Sequence, residues 1–194
     1  YIGGSDLFND NGSITTAFDT CVITDNSAAM GGGVHFTYSA NQNASLVPVP
    51  VILRDCAITD NTASEEGGAL YGVRSYVAIK SSQLQGNEGE YGGAVYAIGS
   101  LWEVEGSQFT SNTAYFGGSM YLEGSDAVVS DSTFDDNHAS YGGAIYGSSV
   151  ELDLIGSTFT GNTAYQGGGL FGFDTISGIS GSTFQENTAE EAGG

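Results

Sequence analysis

A glycine-punctuated phrase that returns about every 25 residues and an apolar period of two within each phrase predict an all-β solenoid, a right-handed parallel β-helix of about seven rungs. The phrase is x-F-x-x-N-x-A followed by Gly-Gly. Its asparagines are Asn26, Asn61, Asn87, Asn112, Asn137, Asn162 and Asn187, spaced 35, then 26, then 25 four times. Three residues before each stands Ile23, Ile58, Leu84, Phe109, Phe134, Phe159 or Phe184, and two residues after comes Ala in six repeats and Gly89 in the third. Then follow the pairs Gly31-Gly32, Gly67-Gly68, Gly92-Gly93, Gly117-Gly118, Gly142-Gly143, Gly167-Gly168 and Gly193-Gly194.

The strands come from alternation. In Val150-Glu151-Leu152-Asp153-Leu154 and in Trp102-Glu103-Val104-Glu105, apolar residues alternate with acids, and no stretch keeps helical spacing over three turns. A single rung cannot bury its inner face, so neighbouring rungs must do so. At about 4.8 Å per rung, seven rungs make a rod on the order of 34 Å long. Each repeated position becomes a column. The Ile/Leu/Phe column before Asn points inward, as does Val34, Leu70, Val95, Met120, Ile145 and Leu170 after the glycines. The asparagines sit where strands turn, with amides placed to bond local backbone and the next rung's Asn. The glycine pairs suit tight turns that other residues cannot make.

The register makes its own predictions. Seven residues before the asparagines lie Asp19, Arg54, Lys80, Glu105, Ser130, Ile155 and Ser180, so two of the three basic residues share one column with an acid on each side. This is expected to be a surface ladder of ion pairs, each worth about 0.2–1 kcal/mol. Two positions earlier, Val128 separates Glu103 from Asp153 by a rung each way. Cys21 and Cys56 share a column that continues as Ser82, Ser107, Ser132, Ser157 and Ser182, which leaves a Cys21–Cys56 disulfide and two small buried thiols as alternatives. Residues 1–20 form a partial first rung and 21–194 the repeats, with a loop leaving the rod at about 37–50. Two glycosylation sequons, at Asn11 and Asn43, lie outside the ladder. The chain starts at Tyr1 without a leader and stops within a repeat, so it is expected to be a segment of a longer, processed protein or a unit whose ends neighbours cover.

The pairing of F-x-x-N with G-G-A-(I/L/V), as in Phe134-Asp135-Asp136-Asn137 and Gly142-Gly143-Ala144-Ile145, resembles the polymorphic outer membrane protein repeat. The resemblance covers roughly residues 21–194. It implies an extracellular or cell-surface β-helix rod, often an adhesin or a passenger segment, although the membrane barrel of the bacterial family is not in this sequence.

Composition limits the function classes. There are 23 Asp and Glu against three Lys and Arg, for a net charge of −20, which argues against nucleic-acid partners and anionic membranes. The most apolar run, 46–53, contains Pro48 and Pro50 and is too short for membrane insertion. A polysaccharide lyase or hydrolase relative would need a base such as Arg74 beside acids such as Asp131, Asp135 and Asp136, and no Ser/His/Asp triad is evident from His35 or His138. No catalysis is expected. No cofactor is certain; calcium is a candidate for Asp25, Asp60, Asp135 and Asp136, against the alternative of a solvated acidic face. Thr158-Phe159-Thr160 is too isolated for an ice-binding array. The remaining feature is an aromatic column read as Phe36, Tyr71, Tyr96, Tyr121, Tyr146 and Phe171, placed outside by alternation. It would either hold glycans or other surface proteins, or stack on itself and stabilise the rungs. The expected function is an extracellular structural or adhesive rod, a candidate component of a surface filament through self-association, with a glycan-binding module using the Tyr column as alternative.

Overall fold

The computed structural model describes residues 5–8, 14–37 and 50–193. Its backbone is an all-β parallel solenoid of about six turns, with no helix among the described residues. Three long sheets run along it. The first holds Ile14–Asp19, Val51–Arg54, Tyr76–Lys80, Leu101–Glu105, Asp126–Ser130, Glu151–Ile155 and Ile176–Ser180 in parallel, with Ser5–Phe8 antiparallel at its edge. The second contains seven three-residue strands from Val22–Thr24 to Thr183–Gln185, centred on the Ile/Leu/Phe column. The third contains six strands from Val34–Thr37 to Leu170–Phe173. A fourth side is narrower. Ser27–Met30 pairs with Thr62–Glu66, Thr163–Gln166 pairs with Thr188–Ala192, and single bridges such as Glu88 to Thr113 and Phe116 to Tyr141 link the rungs between them.

The ladder expected from charge is present. Asp19 pairs with Arg54, Arg54 with Lys80, and Lys80 with Glu105 in register. Arg54 Nη1 lies 2.9 Å from Asp19 Oδ1, and Lys80 Nζ lies 2.9 Å from Glu105 Oε2. Val128 stands between Glu103 and Asp153, which keeps those two carboxylates from stacking.

Bends between sheets are made one residue at a time. The residue before each ladder asparagine has positive φ, as at Asp60 (56°), Ser111 (53°) and Asp136 (51°). Asp and Ser tolerate this conformation better than bulky residues. The next residue then turns its side chain inward, to bond the stack. The glycine pair makes a different corner. The first glycine has φ near 65°, as at Gly117, and the second packs its Cα against the following rung. A Cβ on Gly118 would strike the Gly143 carbonyl oxygen, so no larger residue fits without moving backbone.

The core lies between the sheets. Phe109, Phe134 and Phe159 stack with ring centroids 4.7 Å apart and nearly parallel planes. The fully buried Trp102 fills the space left by Gly72 in the rung before, where a Cβ would press on its ring. Such large-small complementarity is what close packing requires. Both cysteines are free thiols, so the Cys21–Cys56 disulfide is not formed. Each thiol instead donates to backbone: Cys56 Sγ to the Phe18 and Arg54 carbonyls at 3.2 and 3.3 Å, and Cys21 Sγ to the Asp19 carbonyl at 3.6 Å. Burial pushes the Cys56 thiol pKa up, which keeps it protonated and able to donate. Residues 38–49 of the loop expected at about 37–50, and both sequon asparagines, Asn11 and Asn43, lie outside the described residues.

Gly118→Ala is expected to cost at least about 2 kcal/mol, because backbone of the next rung has to give way. Gly124→Ala, where φ is 52° but nothing lies within 4 Å of the new Cβ, is expected to cost about 1 kcal/mol. Urea unfolding of the two variants measures the difference.

Candidate functional site

Two systems of side chains organise the molecule, and one of them leaves a surface for other work. The first is the asparagine ladder. Asn61 donates its backbone N–H and its Nδ2 to Asn87 Oδ1, each at 3.0 Å, and its second Nδ2 hydrogen to the Ile23 carbonyl of the preceding rung at 3.0 Å. The same three bonds recur at Asn87, Asn112, Asn137 and Asn162. Asn26 begins the ladder, donating to Asn61, and Asn187 accepts from Asn162. Each interior amide therefore gives two hydrogen bonds and accepts two, which uses its full capacity. The serine column does similar work: the backbone N–H of Ser82 donates to Ser107 Oγ at 3.1 Å, and Ser107 Oγ donates to the Glu105 carbonyl at 3.0 Å. A second serine column escapes sequence reasoning. Ser75 N–H donates to Ser100 Oγ and Ser100 N–H to Ser125 Oγ, both at 3.1 Å.

The second system is aromatic, and the structure corrects its membership. Strand register aligns His35, not Phe36, with Tyr71; Phe36 aligns with Gly72 and packs partly against the core. Counted from Gly31-Gly32, the position that later repeats fill with Tyr or Phe falls on His35, so Phe36 fits the column by residue type and not by spacing. The corrected column is His35, Tyr71, Tyr96, Tyr121, Tyr146 and Phe171, with successive ring centroids 4.3–5.4 Å apart.

This column does point away from the core, yet its middle is covered. Tyr96 and Tyr121 are 6% and 8% exposed. The covering residues are Tyr91, Phe116 and Tyr141, a second aromatic column from the fourth side that meets the first edge-on, with Phe116 to Tyr146 centroids at 5.2 Å and Tyr91 to Tyr121 at 5.4 Å. Edge-to-face contact suits the ring quadrupoles. A tyrosine column offered outward as a glycan platform is therefore not what the fold presents, since those ring faces are occupied by other rings. The signal for the covering column is legible: each of Tyr91, Phe116 and Tyr141 directly precedes a glycine pair.

Carboxylates rim the aromatic wall. Tyr121 Oη donates to Glu123 Oε2 at 2.8 Å, and Tyr76 Oη donates to Glu103 on the first sheet. Burial first, then neighbouring Glu66 or Glu123, pushes the phenols of Tyr96 and Tyr121 well above the usual tyrosine range. The Glu103 hydrogen bond, followed by burial, pushes Tyr76 up to about 12.

The proposed calcium residues are dispersed in role. Asp25, Asp60 and Asp136 occupy left-handed corners and Asp135 lies within a strand of the second sheet. Among the described residues no group of three or more His, Cys, Asp or Glu side chains converges. Arg74 takes a left-handed corner after the third sheet whereas Asp136 takes one after the second, so these two are not brought together. His138, on the fourth side, contacts Thr163 Oγ1 through Nδ1 at 2.8 Å. No helix of the described residues is long and apolar enough to cross a membrane.

The stacked parallel rungs define a solenoid whose recurring residues serve one another. The family model of the right-handed β-helix region matches residues 7–189, and the chain belongs to that family. No curated protein and no solved structure gives a significant match.

Substitutions within the ladder should differ with position. Asn112→Ala would strand the Asn87 backbone and side-chain donors and the Leu84 carbonyl, at an expected cost of about 3–5 kcal/mol. Asn26→Ala, at the exposed start of the ladder, should cost about 1 kcal/mol in the same urea titration. The raised phenol pKa values also set a pH dependence. Their stabilising effect is full below the unfolded tyrosine pKa of 10.0 and is lost as pH rises beyond it, because the unfolded chain then releases protons that the folded one keeps. The thermal midpoint should therefore fall between about pH 9 and pH 11, and fall less in Tyr121→Phe.

Proposed function

We propose that the chain is a structural segment of an extracellular, surface-displayed or secreted rod that acts by adhesion or by assembly into a filament, without catalysis. The observation that carries this reading is the allocation of side chains: the recurring Asn, Ser, Gly, Phe and Tyr columns serve rung-to-rung cohesion, along a direction that extends by addition. The resemblance of the F-x-x-N and G-G-A-(I/L/V) phrases to the polymorphic outer membrane protein repeat supports the surface location. A net charge of −20 supports it too, by keeping rods apart except at specific contacts. Glycosylation at Asn11 and Asn43 and calcium bound by surface acids belong to this reading as proposals.

Electron microscopy of the native material, with and without a calcium chelator, tests it. Rods or filaments containing this segment are expected. Isolated short particles overturn the filament reading, and fraying on chelation would assign the acids a calcium-binding role. An acidic polysaccharide offered with calcium should remain intact; cleavage that disappears in Arg74→Ala would overturn the nonenzymatic reading.

A further inference from the structure

The fourth side carries a groove beside the aromatic wall. Its floor is a column of small residues, Ala63, Gly89, Ala114, Ala139 and Ala164, and two hollows of about 410 and 390 Å3 open along it. The first is rimmed by Glu88, Glu90 and Tyr115, the second by His138, Tyr165 and Glu190. Tyr115 and Tyr165 are 50% and 42% exposed, unlike the aromatics behind them.

Their placement is periodic. Ser140 N–H donates to the Tyr115 carbonyl and Tyr165 N–H to the Ser140 carbonyl, both at 3.0 Å, so the two tyrosines hold one column two rungs apart with a small residue between. That separation is about 9.6 Å at the parallel-strand spacing. Tyr141 lies between them, edge-on to both at 5.9 and 6.5 Å, which fixes the two rings.

We propose that this groove binds an extended β-1,4-linked amino-sugar chain, with Tyr115 and Tyr165 as stacking platforms and Glu90 and Glu190 facing its ammonium groups. In such a chain alternate sugars present the same face, so the disaccharide advance matches two rungs and Ser140 makes room for the sugar turned the other way. Pyranose C–H faces suit the negative face of a phenol ring. Thr113 and Thr163 on the opposite wall offer hydroxyls for the sugar hydroxyls. Charge selects among glycans. No Lys or Arg lines either hollow; Arg54 and Lys80 sit paired on the first sheet and Arg74 at a corner. An acidic polysaccharide is thus repelled and a cationic one attracted.

Titration calorimetry with the β-1,4-glucosamine hexamer, in mildly acidic buffer, tests this. The hexamer should bind, and the dimer, too short to reach both platforms, about tenfold more weakly or worse. Y115A and Y165A should each weaken hexamer binding by about tenfold, and E90Q should flatten its salt dependence. Both tyrosines are half-exposed, so an unchanged unfolding midpoint verifies that the variants fold. No binding by the unaltered protein, unaltered affinity in the Y115A/Y165A double variant, or preference for the galacturonate hexamer would each overturn the proposal. The inference is separable from the rod reading, because the double variant should lose the glycan and keep its appearance in the microscope.

Discussion

The structure depends on the requirement that every rung present to the next the same hydrogen-bonding edge that it received. The interior asparagine amide meets this requirement at one corner, since its oxygen serves the rung before and its nitrogen the rung after as well as a carbonyl behind. A buried amide so fully satisfied is inexpensive, whereas one left half-paired is costly. That asymmetry locks register. A strand displaced by one residue would turn its apolar face outward and strand the amides at the same time.

The remaining columns are consequences of the lock. Once rungs lie in register, phenylalanine meets phenylalanine and serine meets serine, so a residue that stacks well on itself is favoured at each position. Charged columns face the opposite problem, and they solve it in two ways here, by giving each of the neighbouring cations Arg54 and Lys80 an acid on its outer side, Asp19 and Glu105, and by interposing Val128 between two acids. The glycine pair answers the one place where backbone meets backbone too closely for any side chain.

Features that repeat along the chain are legible in its amino-acid order: the parallel solenoid, the asparagine ladder, the inward columns and the order of the ion pairs. What stays hidden arises where two columns from different sides meet. Alternation places Tyr96 and Tyr121 outside their strand, and so it does, but only the fold around the glycine corner brings Tyr91 and Phe116 over them. Phe36 is misplaced by residue type: counted from Gly31-Gly32, the position that holds Tyr71 in the next repeat falls on His35, and the strand pairing agrees. The cysteines show a further limit. Sharing a column makes them neighbours, yet each thiol has a backbone carbonyl to bond, so proximity alone does not choose the disulfide.

The interval of 35 residues between Asn26 and Asn61 bears on how such a chain changes length. The additional residues are taken up between Val34–Thr37 and Val51–Arg54, yet Phe18 still pairs with Leu53 and Ile23 with Ile58. Growth at a corner is absorbed locally, while growth within a strand would invert every later side chain of that strand. The molecule is in this sense a ruler graduated in rungs: a gene that gains or loses one whole period lengthens or shortens the rod by one graduation, and the marks on either side keep their meaning.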